Sequence, residues 1–545
     1  MHAAHDVVIR GGTVYDGSGG TPFAADVAID GDRIAAIGAV DERGSREIDA
    51  AGLAVAPGFI NMLSWATTSL IADGRSQSDI RQGVTLEVFG EGWSLGPVND
   101  TMRHEQTEQQ SDIKYDISWT TLAQALDTIA ARGISPNIAS FVGAATVRIH
   151  ELAHEDRRPT PEELGRMRAL VDAAMQGGAL GLGSALIYSP ATYADTDELV
   201  ALATVARRHG GMYISHMRSE GNRLLEAVDE VIGIARRAEL PAEIYHLKQA
   251  GRSNWTKLDA VIDHVERARA EGLSITADMY PYEAGATGLS SCFPPWAHEG
   301  GLRATLARLR DAGQRSRIRD EMARPGTDWE NLYEAAGTPE GIVLVAFKNE
   351  RLKPLTGRTL GQVAAERRAD PRDVAMDLVL EDESQVGMVN FMASAENLRR
   401  EVGLPWMSFG SDAGSLAPEG VFLLSQPHPR AYGTFARVLG RFVRDERAAP
   451  LEDVIRRMTG FPAANLKLDH RGLLRPGYFA DIVAFDAETI GDHATYTEPH
   501  RYATGVAHVL VNGSPVLRDG EHTGARPGRV VFGPARRGSL SHQCQ

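Results

Sequence analysis

The sequence predicts an α/β protein in which a (β/α)8 TIM-like barrel is joined to a small β-sandwich domain formed by both chain ends. Short β-rich runs separated by Gly and Asp turns fill residues 6–57, and a similar texture returns near the other end of the chain. Between them, from about Gly58 to Lys467, apolar runs alternate with helix-like segments. Such alternation is typical of parallel strands joined by helical crossovers.

The same texture predicts the domain boundaries. We expect the β-sandwich to use residues 1–57 and 468–535, the barrel to span residues 58–467, and residues 536–545 to form a flexible tail. The spacing between the last two barrel strands is too long for one helix, so an inserted subdomain is expected at about residues 293–349. The eight candidate barrel strands are Phe59–Leu63, Leu86–Gly90, Asn137–Val142, Ala179–Ser184, Met212–His216, Ala242–His246, Ser274–Met279 and Trp406–Ser411.

Composition narrows the classes of function. The chain has 545 residues, 43% of them hydrophobic and 24% charged, which is ordinary for a globular protein. A net charge of −15 argues against nucleic acid or an anionic membrane as the main partner. The two cysteines, Cys292 and Cys544, are too few and too far apart for a disulfide framework. No apolar run has the length of a signal peptide or a membrane span, so a cytoplasmic location is expected.

Two histidines occupy matching positions at the ends of neighbouring candidate strands. His216 ends GMYISH and His246 ends AEIYH, with a helix-like segment between them. Parallel strands joined by a crossover helix place their carboxyl ends at one edge of the sheet, so both imidazoles should reach one site. Imidazole suits zinc, and two of them need oxygen or sulfur partners to complete a catalytic site. The alternative is that each histidine is only a structural residue at a strand end.

Motifs along almost the whole chain resemble one family. They are IRGGTVYDGSG, APGFI, SHMRSEG, YHLKQAG, DMYPYEAG, GSDAGS, HPRAYGTFARVLGRFVRD, MTGFPAANLKLDHRGLLRPGYFADIVAFD and TGARPGRVV. Together they resemble the amidohydrolase superfamily and, within it, the N-acyl-D-amino-acid deacylase (D-aminoacylase) family. The resemblance implies a metal-bearing (β/α)8 barrel beside a β-sandwich, as the pattern of runs also predicts.

The chain departs from the family at two metal-ligand motifs. Members carry a His-x-His pair after PGFID, whereas PGFINMLSWA places Leu63 and Trp65 there, and neither side chain can ligate zinc. Members also carry a ligand cysteine after the second strand, where this chain has Glu91. Because a carboxylate is an acceptable zinc ligand, we expect one Zn2+ per chain held by Glu91, His216 and His246. The alternative for Glu91 is an ion pair with Arg81 or another nearby cation.

Further candidates surround this centre. Asp412, in MSFGSDAGS, is expected to be the catalytic acid/base, a role that the family also assigns to it; otherwise it is a turn residue. Lys248, close after the second histidine, is expected to bind the substrate α-carboxylate, and Arg430 matches an arginine that has this role in the family. The Tyr280 hydroxyl is expected to donate to the substrate or to the tetrahedral oxyanion. The alternative for each of the three is an exposed or packing residue. Trp65 is expected to shape the substrate pocket.

Three functions follow from these residues. The first is zinc-dependent hydrolysis of the amide bond of an N-acyl amino acid, with D configuration expected, so that the partner is a small N-acylated amino acid or related amide. The second keeps the chemistry but acts on a cyclic amide, a small peptide or a specialised metabolite, because Trp65 reshapes the pocket. The third is a ligand-binding relative that has lost catalysis.

Overall fold

The computed structural model describes residues 4–536, so most of the predicted tail, residues 537–545, lies outside the described residues. The strands in chain order are β1 (His5–Val14), β2 (Phe23–Asp30), β3 (Arg33–Gly38), β4 (Gly44–Asp49), β5 (Ala54–Pro57), β6 (Phe59–Asn61), β7 (Val84–Phe89), β8 (Asn137–Ser140), β9 (Val142–Gly143), β10 (Gly181–Ala185), β11 (Met212–His216), β12 (Ala242–Ile244), β13 (Ile275–Met279), β14 (Ala284–Gly288), β15 (Ile342–Ala346), β16 (Gly387–Phe391), β17 (Met407–Phe409), β18 (Ile482–Phe485), β19 (Val506–Val511), β20 (Ser514–Arg518) and β21 (Glu521–His522).

Helices cover most of the sequence between the central strands. In chain order they are α1 (Thr67–Ala72), α2 (Gln77–Ile80), α3 (Asp100–Gln109), α4 (Leu122–Ala131), α5 (Ala144–Leu152), α6 (Pro161–Gln176), α7 (Thr196–Arg208), α8 (Leu224–Ala238), α9 (Leu258–Ala270), α10 (Gly301–Arg310), α11 (Ala312–Met322), α12 (Leu332–Ala335), α13 (Leu360–Arg367), α14 (Pro371–Asp382), α15 (Ala395–Val402), α16 (Arg430–Arg437), α17 (Leu451–Met458) and α18 (Gly460–Asn465). None of the helices between residues 4 and 536 is both long and apolar enough to cross a membrane.

The central strands form the predicted (β/α)8 barrel. Parallel pairing joins β6, β7 and β8 in one sheet and β9, β10, β11, β12, β13 and β17 in another. Strands β8 and β9 are separated only by Phe141, whose amide donates to Phe89 O at 2.8 Å. The Met62 amide donates to Phe409 O at 3.2 Å, which brings the first strand against the last. Each of the eight predicted runs overlaps a strand of this barrel.

Local sequence explains why these segments take their places. All five residues of β11 are buried, as expected for a parallel strand covered on both faces. In α8, Val228, Val231 and Ala235 are buried at spacings of three and four residues, so one face of the helix packs against the barrel. The chain therefore returns to the sheet at β12, and the carboxyl ends of β11 and β12 lie side by side.

Both chain ends contribute to the separate β domain. Its nine-stranded sheet has the order β21-β20-β19-β18-β5-β1-β2-β3, with β4 pairing β1. The two ends meet where β18 pairs antiparallel with β5. Buried Val7, Ile9, Val55, Ile482 and Leu510 form part of its core, so residues from both ends of the sequence share one apolar cluster.

A segment between β13 and β17 packs separately from the barrel. Strands β14, β16 and β15 form an antiparallel sheet in that order, and an apolar cluster from Leu289 to Met388 fills its interior. The predicted insertion at 293–349 lies inside this segment, which is longer because β14 and β15 both pair with β16. The segment covers the carboxyl-terminal end of the barrel.

The buried side-chain amide of Asn61, at the end of β6, contacts the loop that follows β17 and so links the first barrel strand to the last. The Ser411 amide donates to Asn61 Oδ1 at 2.8 Å, and Asn61 Nδ2 donates to Ser411 Oγ at 2.8 Å. Asn61→Ala leaves the buried Ser411 amide without this acceptor, which should cost roughly 1–3 kcal/mol. We expect the apparent melting temperature, measured by calorimetry at a fixed scan rate, to fall by several degrees. The exposed Gln109→Ala is the control, and an equal effect of both substitutions would show that the closing contact adds no stability.

Candidate active site

Three side chains of metal-ligand type meet at the carboxyl-terminal edge of the barrel. Glu91 follows β7, His216 ends β11 and His246 follows β12. Glu91 Oε1 lies 2.9 Å from His216 Nδ1 and 2.8 Å from His246 Nε2. All three residues are buried, and one ligand atom of each lies within 4.8 Å of the others. The structure thus brings together the three residues that the sequence analysis selected.

The backbone at His246 is held in an unusual conformation. Its φ angle is +33°, in the left-handed region that non-glycine residues rarely adopt. The His246 amide donates to Asp278 Oδ1 at 2.8 Å, which fixes the turn after β12. Asp412, after β17, also has a positive φ of +49°. Such strain persists only where the surrounding structure imposes it, and it is concentrated at functional sites.

The donor set of this cluster fits a metal ion. Two imidazole nitrogens and one carboxylate oxygen can hold a catalytic zinc and leave a further position open. Burial raises the pKa of Glu91, but the neighbouring His246 and His216 lower it more, so the pKa lies below its ordinary value. The carboxylate is therefore ionised and its charge is available to a cation.

A further carboxylate, Glu220, supports the two histidines. Its Oε1 atom lies 3.0 Å from His246 Nδ1 and accepts a hydrogen bond from Lys248 Nζ at 2.6 Å. Its Oε2 atom lies 3.7 Å from His216 Nε2. Burial raises the pKa of Glu220, but Lys248 and the histidines lower it more, so Glu220 remains ionised. With His246 Nε2 facing Glu91, the Nδ1 atom lies 3.0 Å from Glu220 Oε1 and 2.8 Å from Lys248 Nζ, so both side chains hold the ring on the side away from the cluster.

Glu220 was missed in the sequence analysis. The available signal was its place four residues after His216 in SHMRSEG, in the same loop at the strand end. Lys248, in contrast, was selected as a substrate cation, and its ammonium group is buried against Glu220. Burial lowers the pKa of Lys248, but Glu220 raises it more, so the lysine stays charged.

Asp412 is held on both of its oxygen atoms. Trp65 Nε1 donates to Asp412 Oδ1 at 3.1 Å and to Glu91 Oε2 at 3.0 Å. On the other side, Arg430 Nη1 lies 2.8 Å from Asp412 Oδ2. Burial raises the pKa of Asp412 above its ordinary value, Arg430 opposes this shift, and the charge of Glu91 adds to it. Asp412 therefore lies beside the cluster with a fixed orientation.

A cavity of about 460 Å³ opens over this centre. Tyr280 lies between the two cations, with its ring centroid 4.4 Å from Arg430 Cζ and 5.4 Å from Lys248 Nζ. All eight residues selected from the sequence line this cavity. Its remaining wall mixes apolar side chains with polar ones and is supplied by the barrel loops and the inserted segment. The apolar part includes Trp93, Ile187, Tyr188, Phe293, Trp329, Leu332 and Met392, and the polar part includes Thr287, Ser290, Ser291, Gln385 and Asn390.

Three residues that the sequence singled out take no part in the cluster of Glu91, His216 and His246. Arg81, the alternative partner of Glu91, donates to Gly520 O and to Glu521 instead. Leu63 is fully buried in an apolar cluster beneath the site. Cys292 is buried in the core of the inserted segment, and burial raises the pKa of its thiol.

A (β/α)8 barrel with a β domain and a buried histidine and carboxylate cluster at the strand ends defines the class of metal-dependent barrel hydrolases. Residues 46–517 match the model of the Amidohydrolase family. The chain is 33% identical to a D-aminoacylase from Alcaligenes xylosoxydans xylosoxydans over 96% of this chain and 97% of that protein. The chain therefore belongs to the amidohydrolase family and, within it, to the D-aminoacylase group.

Two solved structures extend this similarity to the fold. A crystal structure of D-aminoacylase superposes with a TM-score of 0.79 at 31% identity, covering 97% of this chain and all of that one (100%). The N-acyl-D-glutamate deacylase of Bordetella bronchiseptica, complexed with zinc and a phosphonate inhibitor, gives a TM-score of 0.78 at 28% identity, with 97% and 99% covered. Relatives of this chain thus bind metal, and the chain has a candidate metal site.

The contact between Glu220 and His246 should contribute to metal binding. Glu220→Gln removes the negative charge that lies 3.0 Å from His246 Nδ1, so we expect the affinity for an added divalent metal ion to fall by roughly 10- to 100-fold. Competition with a chromogenic chelator measures the affinity. The control is Glu330→Gln, in the wall of the same cavity, whose carboxylate accepts from Ser219 Oγ at 2.7 Å. Equal losses in both variants would contradict a specific role for Glu220.

Proposed function

We propose that this chain hydrolyses the amide bond of N-acyl-D-amino acids, using one zinc ion held by Glu91, His216 and His246. The observation that carries the proposal is the meeting of this buried cluster with Asp412 and Arg430 in one cavity. The named relatives, a D-aminoacylase and an N-acyl-D-glutamate deacylase, support the substrate class and the D configuration.

Asp412 provides the proton transfers of this reaction. Zinc bound at the cluster would polarise the acyl carbonyl and acidify a water molecule. Asp412 accepts a proton from the attacking water and returns it to the leaving nitrogen, which then departs as an amine. Its two oxygen atoms are held by Trp65 and Arg430, so the carboxylate faces the cavity in one orientation. The Tyr280 hydroxyl is placed to donate to the oxygen that gains negative charge.

Arg430 and Lys248 bind the α-carboxylate of the substrate. Arg430 Nε is buried and, among residues 4–536, has no hydrogen-bond partner, so the guanidinium has a donor left for a ligand. Lys248 Nζ contacts Glu220 Oε1 and His246 Nδ1, and the lysine keeps its positive charge because Glu220 raises its pKa more than burial lowers it. A planar guanidinium with a nearby ammonium group suits the recognition of a carboxylate.

The cavity favours a neutral amino-acid side chain. Among the described residues that line it, Lys248 and Arg430 are the two lysine or arginine side chains, and both face carboxylates of the protein. The walls otherwise offer aromatic, aliphatic and uncharged polar groups beside the carboxylates of Glu220 and Glu330. An acidic side chain would therefore be buried without a cation of its own, which is costly.

The first test combines metal analysis and turnover on the same sample. We expect about one zinc per chain, release of free amino acid from N-acetyl-D- but not N-acetyl-L-amino acids, and loss of activity on chelation. Asp412→Asn is the matched control, because it should keep the zinc while kcat falls by roughly 10²- to 10⁴-fold. Zinc without turnover would favour a cyclic amide or other substrate, and a chain that neither binds zinc nor turns over would be a ligand-binding relative.

A second test uses substrates that differ only in charge. We expect kcat/KM for N-acetyl-D-glutamine to exceed that for N-acetyl-D-glutamate by roughly 10²-fold, since each buried unpaired carboxylate costs several kcal/mol. N-acetyl-D-asparagine and N-acetyl-D-aspartate form a second matched pair. Equal or reversed preference in both pairs would show that an acidic side chain finds a cation in this cavity.

A further inference from the structure

The indole of Trp65 lies between two carboxylates. Its Nε1 atom is 3.0 Å from Glu91 Oε2 and 3.1 Å from Asp412 Oδ1, so a single N–H group contacts both acids. Burial of two neighbouring carboxylates favours a cation between them, because the charges otherwise repel one another in a medium of low polarity. Here a neutral donor occupies that point.

The backbone fixes the indole in this place. The Trp65 amide donates to Ala413 O at 2.9 Å, and the Asp412 amide donates to Leu63 O at 2.8 Å. The loops after β6 and β17 are therefore joined on both sides of the contact. Trp65 is 40% exposed and lines both the active-site cavity and a neighbouring groove, so it forms a partition between them.

The two oxygen atoms of Glu91 have separate partners. Oε1 faces the two histidine nitrogens, whereas Oε2 accepts from Trp65. Oε1 therefore belongs to the candidate metal cluster, and Oε2 points towards the neighbouring position. With Asp412 Oδ1 it would supply two oxygen ligands for another cation if the indole were absent.

We propose that Trp65 is a positioning residue that restricts the centre to one metal ion and holds Asp412 in its working orientation. The inference rests on the proposed function for the role of Asp412, whereas the restriction to one ion is independent of the substrate. The indole N–H takes the place of a second cation: it satisfies both carboxylates without adding charge.

Titration of the metal-free chain with Co2+ tests this restriction. The visible absorption of bound cobalt and elemental analysis both report the number of ions per chain. We expect wild type to saturate at one ion. Trp65→Phe keeps an aromatic ring but removes the N–H, and Trp65→His adds a ligand nitrogen, so both should bind a second ion, Trp65→His more tightly.

The control removes an indole N–H outside the site. Trp255 Nε1 donates to Met392 O at 2.9 Å, so Trp255→Phe loses one comparable hydrogen bond and should still saturate at one ion. For Trp65→Phe we also expect kcat to fall at least about 10-fold with KM changed less than about 3-fold, because Asp412 loses a partner that orients it. Melting temperatures of all variants check that each one folds.

Either of two results would overturn the proposal. One is saturation of wild type at two ions, and the other is saturation of both Trp65 variants at one ion, whatever happens to kcat. If wild type hydrolyses none of the N-acyl-D-amino acids, the proposed function fails, while the cobalt stoichiometries of the variants still decide whether Trp65 excludes a second ion.

Discussion

The buried carboxylate of Glu91 is the interaction on which the rest of the centre depends. An ionised carboxylate inside a protein is costly unless charges or donors surround it. Its partners, His216, His246 and Trp65, come from the fifth, sixth and first barrel strands or the loops after them. Glu91, after the second strand, therefore gains its two histidine partners only when the barrel has formed, because the barrel brings the ends of the second, fifth and sixth strands together.

Two further pairs of opposite charge surround Glu91 and its histidines. Glu220 lies behind the histidines and is paired with Lys248, and Asp412 lies in front and is paired with Arg430. Glu220 and Asp412 are thus each matched by a base that lines the same cavity. This pairing also orients the groups that the proposed reaction needs, since side chains with two fixed partners have few alternative rotamers.

Much of the fold and most of the residues at the candidate site could be predicted from the sequence. The alternation of runs predicted eight barrel strands, because burial on both faces gives parallel strands a continuous apolar pattern. Glu220 could not be recognised in the same way, since its importance comes from contacts with residues up to 28 positions away. The length of the inserted segment was also set by long-range pairing, because β14 pairs with β16 although five helices, α10 to α14, and the strand β15 lie between them in the chain.

The sequence by itself determined which residue types were available: two histidines at strand ends, the carboxylate of Glu91 and the indole of Trp65. It could do so because strand position and ligand chemistry are local properties. Only the tertiary structure decided that the Trp65 N–H contacts both Glu91 and Asp412, and that Lys248 and Arg430 are each paired with an acid. Those contacts join residues that are distant in the chain, so barrel closure and burial select them.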